Sequence, residues 1–182
     1  MSAKPLFLRF FAMAGLGLIL CGPAAAQTVG SVTRVQNQAQ VGSKTAAVGV
    51  PVQMNDVLRT GANARLQVTF RDGTLLTLGE NARVGIDRYV YDPAKSKGVM
   101  ALNTKGAIRF ATGKLNQMRD KDVTVKTPAA ALAVRGTEFW TGPIDGQYGA
   151  LLLKGKVQVS NRGGAVTLSQ PGYGTDFGGP RR

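Results

Sequence analysis

Strict alternation of polar and apolar side chains over Arg65-Leu66-Gln67-Val68-Thr69-Phe70 constrains this 182-residue chain more than any other feature. Successive side chains of a strand point to opposite faces, so this pattern describes a half-buried strand. Asp72-Gly73 follows, a turn signal because glycine accepts positive φ without steric cost. Thr74-Leu75-Leu76-Thr77-Leu78 then resumes the apolar pattern, which predicts a hairpin over residues 64–78. The same alternation recurs in Gly106–Phe110, Val123–Val125, Lys156–Ser160 and Val166–Leu168. No window carries a sustained i, i+3, i+4 apolar stripe with caps, so helix beyond the N-terminal leader is expected to be minor. Glycine punctuates the pattern in Val29-Gly30-Ser31-Val32, Lys105-Gly106-Ala107-Ile108 and Lys154-Gly155-Lys156-Val157, too unevenly for a strict solenoid. Such a pattern allows a sandwich, an open barrel or an irregular β-helix; the expected fold is all-β, short strands in two facing sheets as a sandwich or irregular β-helix around a narrow aliphatic core.

The leader is read from order rather than composition. Lys4 and Arg9 precede an apolar run from Leu6 to Leu20, and Pro23 and Ala24-Ala25-Ala26 come before Gln27. That order describes a secretory signal peptide over residues 1–26, cleaved between Ala26 and Gln27. The run is short for a bilayer span, which takes about 20 residues. Cys21 allows a lipoprotein reading, against which stands the bulky Leu20 before it. Cleavage after Ala26 removes the one cysteine and leaves 156 residues, enough for a domain held by burial alone, at 27–172. The Gly/Arg-rich segment 173–182 is expected to be a flexible tail.

The residue inventory argues against an enzyme. The chain has no histidine, so the commonest general base and metal ligand is missing. Without a mature cysteine there is no thiol nucleophile or thiolate metal site. Asp87, Asp92 and Glu80 are the remaining carboxylate candidates, but Asp92-Pro93 reads as a turn and Asp87 as the solvent side of a strand. Adjacent Ser96 and Lys97 point apart, which disfavours a dyad. No cofactor or metal site is expected. The net charge of +13 falls to +11 once Lys4 and Arg9 leave, without any long run of like charge. Scattered cations keep a β protein soluble, and they also permit contact with anionic glycan or lipid. Basic residues are not concentrated with aromatics, so nucleic acid is not an expected ligand.

Three motifs, taken in order, resemble those of a known family. Gly61–Gly79 is similar to the first signature of FecR domains: a turn, an arginine-bearing strand, the Asp72-Gly73 hairpin and a leucine-rich strand. Thr127-Pro128 followed by Val134-Arg135-Gly136-Thr137-Glu138-Phe139 resembles the second, and Lys154–Val159 the closing strand. The resemblance implies a periplasmic, all-β, non-catalytic domain that relays signals by contact with envelope proteins. Only nine residues precede Phe10 and no second apolar stretch follows, so a stand-alone exported module, with no span in its mature part, is expected rather than a complete transmembrane regulator. A location at the cell surface is the variant of that reading.

Asp72, Gly73, Thr127, Pro128, Gly136 and Thr137 are assigned structural roles. Gly136 is expected at a sharp bend or close approach, and Arg135 either pairs with Glu138 or reads an anionic group from the surface. Any binding surface is expected to use Tyr89, Tyr91, Arg135 and Trp140. The alternative reading is an envelope structural protein that holds anionic glycan or lipid through its charge.

Overall fold

The computed structural model describes residues 27–177; the leader, with its cleavage position at Ala26, and residues 178–182 lie outside them. Fifteen strands follow one another: β1 (Thr28–Gln36), β2 (Ala39–Val41), β3 (Lys44–Thr45), β4 (Pro51–Gln53), β5 (Val57–Thr60), β6 (Arg65–Phe70), β7 (Leu75–Leu78), β8 (Arg83–Asp92), β9 (Lys97–Lys105), β10 (Ile108–Ala111), β11 (Asp120–Lys126), β12 (Ala131–Ile144), β13 (Gln147–Asn161), β14 (Gly164–Leu168) and β15 (Gly174–Asp176). Among the described residues a single 3-10 turn, Lys114–Gln117, interrupts them. The all-β expectation holds. The predicted hairpin is β6–β7, with Leu66, Val68, Phe70, Leu76 and Leu78 buried and their neighbours turned outward.

The two facing layers are limbs of one hydrogen-bonded sheet, ordered β3-β2-β5-β8-β9-β11-β12-β10-β7-β6-β1-β4. Only residues 54–56 separate β4 from β5, yet β4 ends the order and β5 stands third. A three-residue link cannot bridge a flat sheet of that width. The sheet therefore curls, the native twist taken far enough to bring its ends together. Asn55 N–H donates to Ile86 O (3.1 Å) and Ile86 N–H to Asp56 O (3.1 Å), which fixes that approach. Inside the curl Phe70 of β6 stacks on Tyr89 of β8, ring centroids 5.4 Å apart.

Strand β12 carries the chain from one limb to the other. Its first part pairs with β11 and its second with β10, while β13 follows it along the opposite edge. The pairing with β13 shifts between Arg135 and Glu138, where Gly136 adopts φ +62°. Gly155 on β13 (φ +84°) lies against this bend: a Cβ there would sit 2.2 Å from the Gly136 carbonyl oxygen. The expected close approach at Gly136 is thus an approach of two main chains. Thr137 secures it, its hydroxyl donating to Lys156 O and its N–H to Thr112 Oγ1. Thr127-Pro128 forms the β11–β12 turn, in which the Thr127 hydroxyl accepts from Ala130 N–H (3.0 Å).

Two expectations need correction. Tyr89 is not on the surface but 1 % exposed, because a bulge at Asp87-Arg88 shifts the strand by one residue and turns Tyr89 inward. Residue 173 does not begin a loose tail either: Gly174–Asp176 pair with Gly149–Leu151 of β13, and Phe177 is buried.

Gly73 and Gly155 form a matched pair for testing the bend, with nearly equal φ of +83° and +84° but open space around Gly73. Gly73→Ala should cost about 1–2 kcal/mol, the left-handed penalty alone. Gly155→Ala adds a collision with main chain and should cost at least about twice as much in urea unfolding. Equal costs would contradict the close approach.

Candidate functional site

The outward side chains of the limb β1-β6-β7-β10, continued by β12, form one surface. Pairing sets Arg34 opposite Gln67, Gln67 opposite Thr77, Thr77 opposite Arg109, and Arg109 opposite Trp140. Five side chains from five strands thus form a row across the sheet, since directly paired residues share a face. Gln36 and Arg65 form a shorter row beside it. The surface forms an open hollow of about 950 Å³, with Glu80 of the β7–β8 turn among its lining residues.

Hydrogen bonds order part of this face. Gln67 accepts from Thr33 Oγ1 (3.3 Å) and donates through Nε2 to Thr77 Oγ1 (3.4 Å). Arg109 directs Nε (2.8 Å) and Nη2 at Glu138 Oε1. Glu138 is therefore engaged by Arg109 and not by Arg135. Arg34 and Arg65 make no ion pair among the described residues, so their charge faces solvent in the concavity. Trp140 is half-buried and reaches over Gly142, two residues on; a Cβ at Gly142 would lie 2.9 Å from Trp140 Cζ2. The glycine makes room for the indole.

The four residues predicted for a binding surface do not come together. Trp140 lies in the concavity, Tyr91 packs half-buried against the core from β8, and Arg135 is exposed at the bend of β12, opposite Lys156. Tyr89 belongs to a buried network. Its hydroxyl donates to Asp72 Oδ1 (3.0 Å) and accepts from Asp72 N–H (3.0 Å). The Asp72 carboxylate also accepts from Thr74 Oγ1 (2.5 Å) and Leu115 N–H (3.2 Å), and the Asp72 carbonyl from Lys114 N–H (2.7 Å). Arg34, Arg65 and Arg109 were missed. Outward positions in alternating strands marked them as exposed, but which strands lie side by side is not a local property. Among the described residues no group of three His, Cys, Asp or Glu is placed to hold a metal ion, and no helix is long and apolar enough to cross a membrane.

The model of the FecR family, described as FecR protein, matches residues 56–158. The chain belongs to the FecR family. The match runs from the Asn55-Asp56 link into β13, so it takes in Asp72, the bend at Gly136 and most of the concave face, but not β1, β14 or β15. Two crystal structures of a protein from Parabacteroides distasonis ATCC 8503, provisionally described as an anti-sigma factor, share the fold of this FecR domain. TM-scores are 0.50 and 0.51 at 22 % and 21 % identity, over 66 % of this chain and 58 % of theirs. The chain thus spans less than two thirds of those structures. No curated protein matches it.

Burial pushes the Tyr89 hydroxyl pKa far above its ordinary value, and the adjacent Asp72 carboxylate adds to the shift. Tyr89 holds its proton more tightly folded than unfolded, so its contribution is intact below about pH 10 and lost as pH rises further. Phenolate absorbance should therefore show a late step that coincides with alkaline unfolding and is missing from Tyr89→Phe. Complete ionisation of the tyrosines before the fold opens would contradict this assignment.

Proposed function

We propose that this FecR domain is an exported, non-enzymatic signalling module that docks an envelope protein on its concave arginine–tryptophan face. The observation that carries the reading is the in-register row Arg34–Gln67–Thr77–Arg109–Trp140. Tryptophan and arginine dominate the energetics of protein interfaces, where a large ring fills a pocket and guanidinium groups meet carboxylates and carbonyls. Here Trp140 sits at one end of a concavity whose Arg34 and Arg65 make no ion pair among the described residues. Family membership favours regulation over catalysis, and the anti-sigma description of the structural relatives agrees with a protein as ligand. The leader, read as a signal peptide, puts the domain in the periplasm or at the cell surface.

Tagged protein incubated with envelope extract should retain a discrete protein at high salt. Trp140→Ala should lose it with a penalty of about 2 kcal/mol or more, while exposed Ile144→Ala retains it. Equal retention by Trp140→Ala, with its fold checked by circular dichroism, would exclude this face. Mass spectrometry of the exported protein should find Gln27 as the first residue; a chain that still carries Met1 would refute cleavage after Ala26.

A further inference from the structure

The other limb carries a second cross-strand row, remote in the sheet order from the concave face. Thr45 of β3 stands opposite Gln40 of β2, Gln40 opposite Arg59 of β5, Arg59 opposite Arg83 of β8, and Arg83 opposite Lys105 of β9. Three cations thus occupy directly paired positions on three adjacent strands. Like charges in such pairs repel, at a separation of about 5 Å between Cβ atoms. None of the three makes an ion pair among the described residues. Three acids lie near in sequence and none forms an ion pair with them: Asp56 accepts from Gln53 N–H (2.8 Å), Glu80 from Asn63 N–H (2.9 Å), and the Asp87 carboxylate lies beside Gly85, with Oδ1 3.5 Å from where a Cβ there would stand. Arg59 is steered by its Nη1, which donates to Gly42 O (3.4 Å), while Arg83 and Lys105 extend into solvent. Such a row costs stability unless an external anion supplies the missing charge.

We infer that this row binds a linear acidic polysaccharide. Three features select that ligand. The charge is arranged in a line, one cation per strand, and the line continues into Gln40 and Thr45, whose amide and hydroxyl suit sugar hydroxyls. The adjacent row runs from Val57 through Gly85 and Asn103 to Lys126, so an amide flanks Lys105, with a fourth cation one strand further on and the Asp87 carboxylate beside Gly85. A lipid surface fits less well, because membrane binding adds apolar insertion to charge. None of the exposed large apolar side chains, Val48, Leu75, Ile144, Leu153, Val166 and Tyr173, lies on β2, β5, β8 or β9.

The inference is independent of partner docking on the concave face, and Trp140→Ala should leave it unchanged. Purified protein is titrated with polygalacturonate, with neutral dextran and with phosphatidylglycerol vesicles. The protein should bind polygalacturonate and not dextran, with affinity falling steeply between about 50 and 300 mM salt. Arg83→Gln combined with Lys105→Gln should weaken binding by about tenfold, whereas Arg119→Gln with Lys121→Gln, an equal charge change elsewhere, should alter it less than about twofold. The first pair should also unfold at the same or a higher temperature, since it relieves repulsion. Equal weakening by both pairs would reduce the effect to net charge and overturn the proposal. So would vesicle binding that depends on Arg83 and Lys105 and exceeds polymer binding, or a fall in melting temperature for that pair.

Discussion

The carboxylate of Asp72 lies 1 % exposed, at the point where three separate parts of the chain meet. It belongs to the β6–β7 turn of one limb, bonds Tyr89 of β8 in the other, and accepts from Leu115 in the 3-10 turn of the crossover. A buried carboxylate is costly unless several donors reach it, and here two hydroxyls and main-chain N–H groups do so. The charge is tolerated only when both limbs and the crossover are in place. A polar turn residue thereby enforces the curl that the apolar core fills, and misassembled arrangements are disfavoured because they strand the charge.

The curl in turn depends on how β12 and β13 bend together. Both change direction where Gly136 and Gly155 touch, and both carry side chains of the two limbs. The concave face needs this bend, since Trp140 follows it on β12 while Arg34 comes from the opposite end of the row. The basic row needs the other limb and no residue beyond β9. One sheet thus supports two chemically unlike surfaces.

Local signals made part of this structure legible. Alternation around Leu66-Gln67-Val68 and the Asp72-Gly73 turn marked the β6–β7 hairpin, and Gly136 was marked as a bend. Tyr89 was misread because a bulge at Asp87-Arg88 reverses its side, and no residue type announces that shift. The order past residue 172 was missed because Gly174–Asp176 draws its strand character from pairing with β13 rather than from its own side chains. Of the four residues expected on a binding surface, Trp140 alone lies in the concavity. Its companions Arg34, Arg65 and Arg109 were not expected there, because strands far apart in sequence bring them together.

The parallel pair β9–β11 has a consequence for how the chain reaches this state. Neighbouring strands β6–β7, β8–β9 and β12–β13 can each zip locally, but β9 meets β11 only after the chain has crossed to the other limb through β10. Contacts of this kind close long loops before any reward arrives, so assembly is slow relative to hairpin formation. Closure of the curl also waits for β12, which joins β11 to β10. A polypeptide with such a topology can form its hairpins early, yet its two limbs become one continuous sheet only when β12 is in place between β11 and β10.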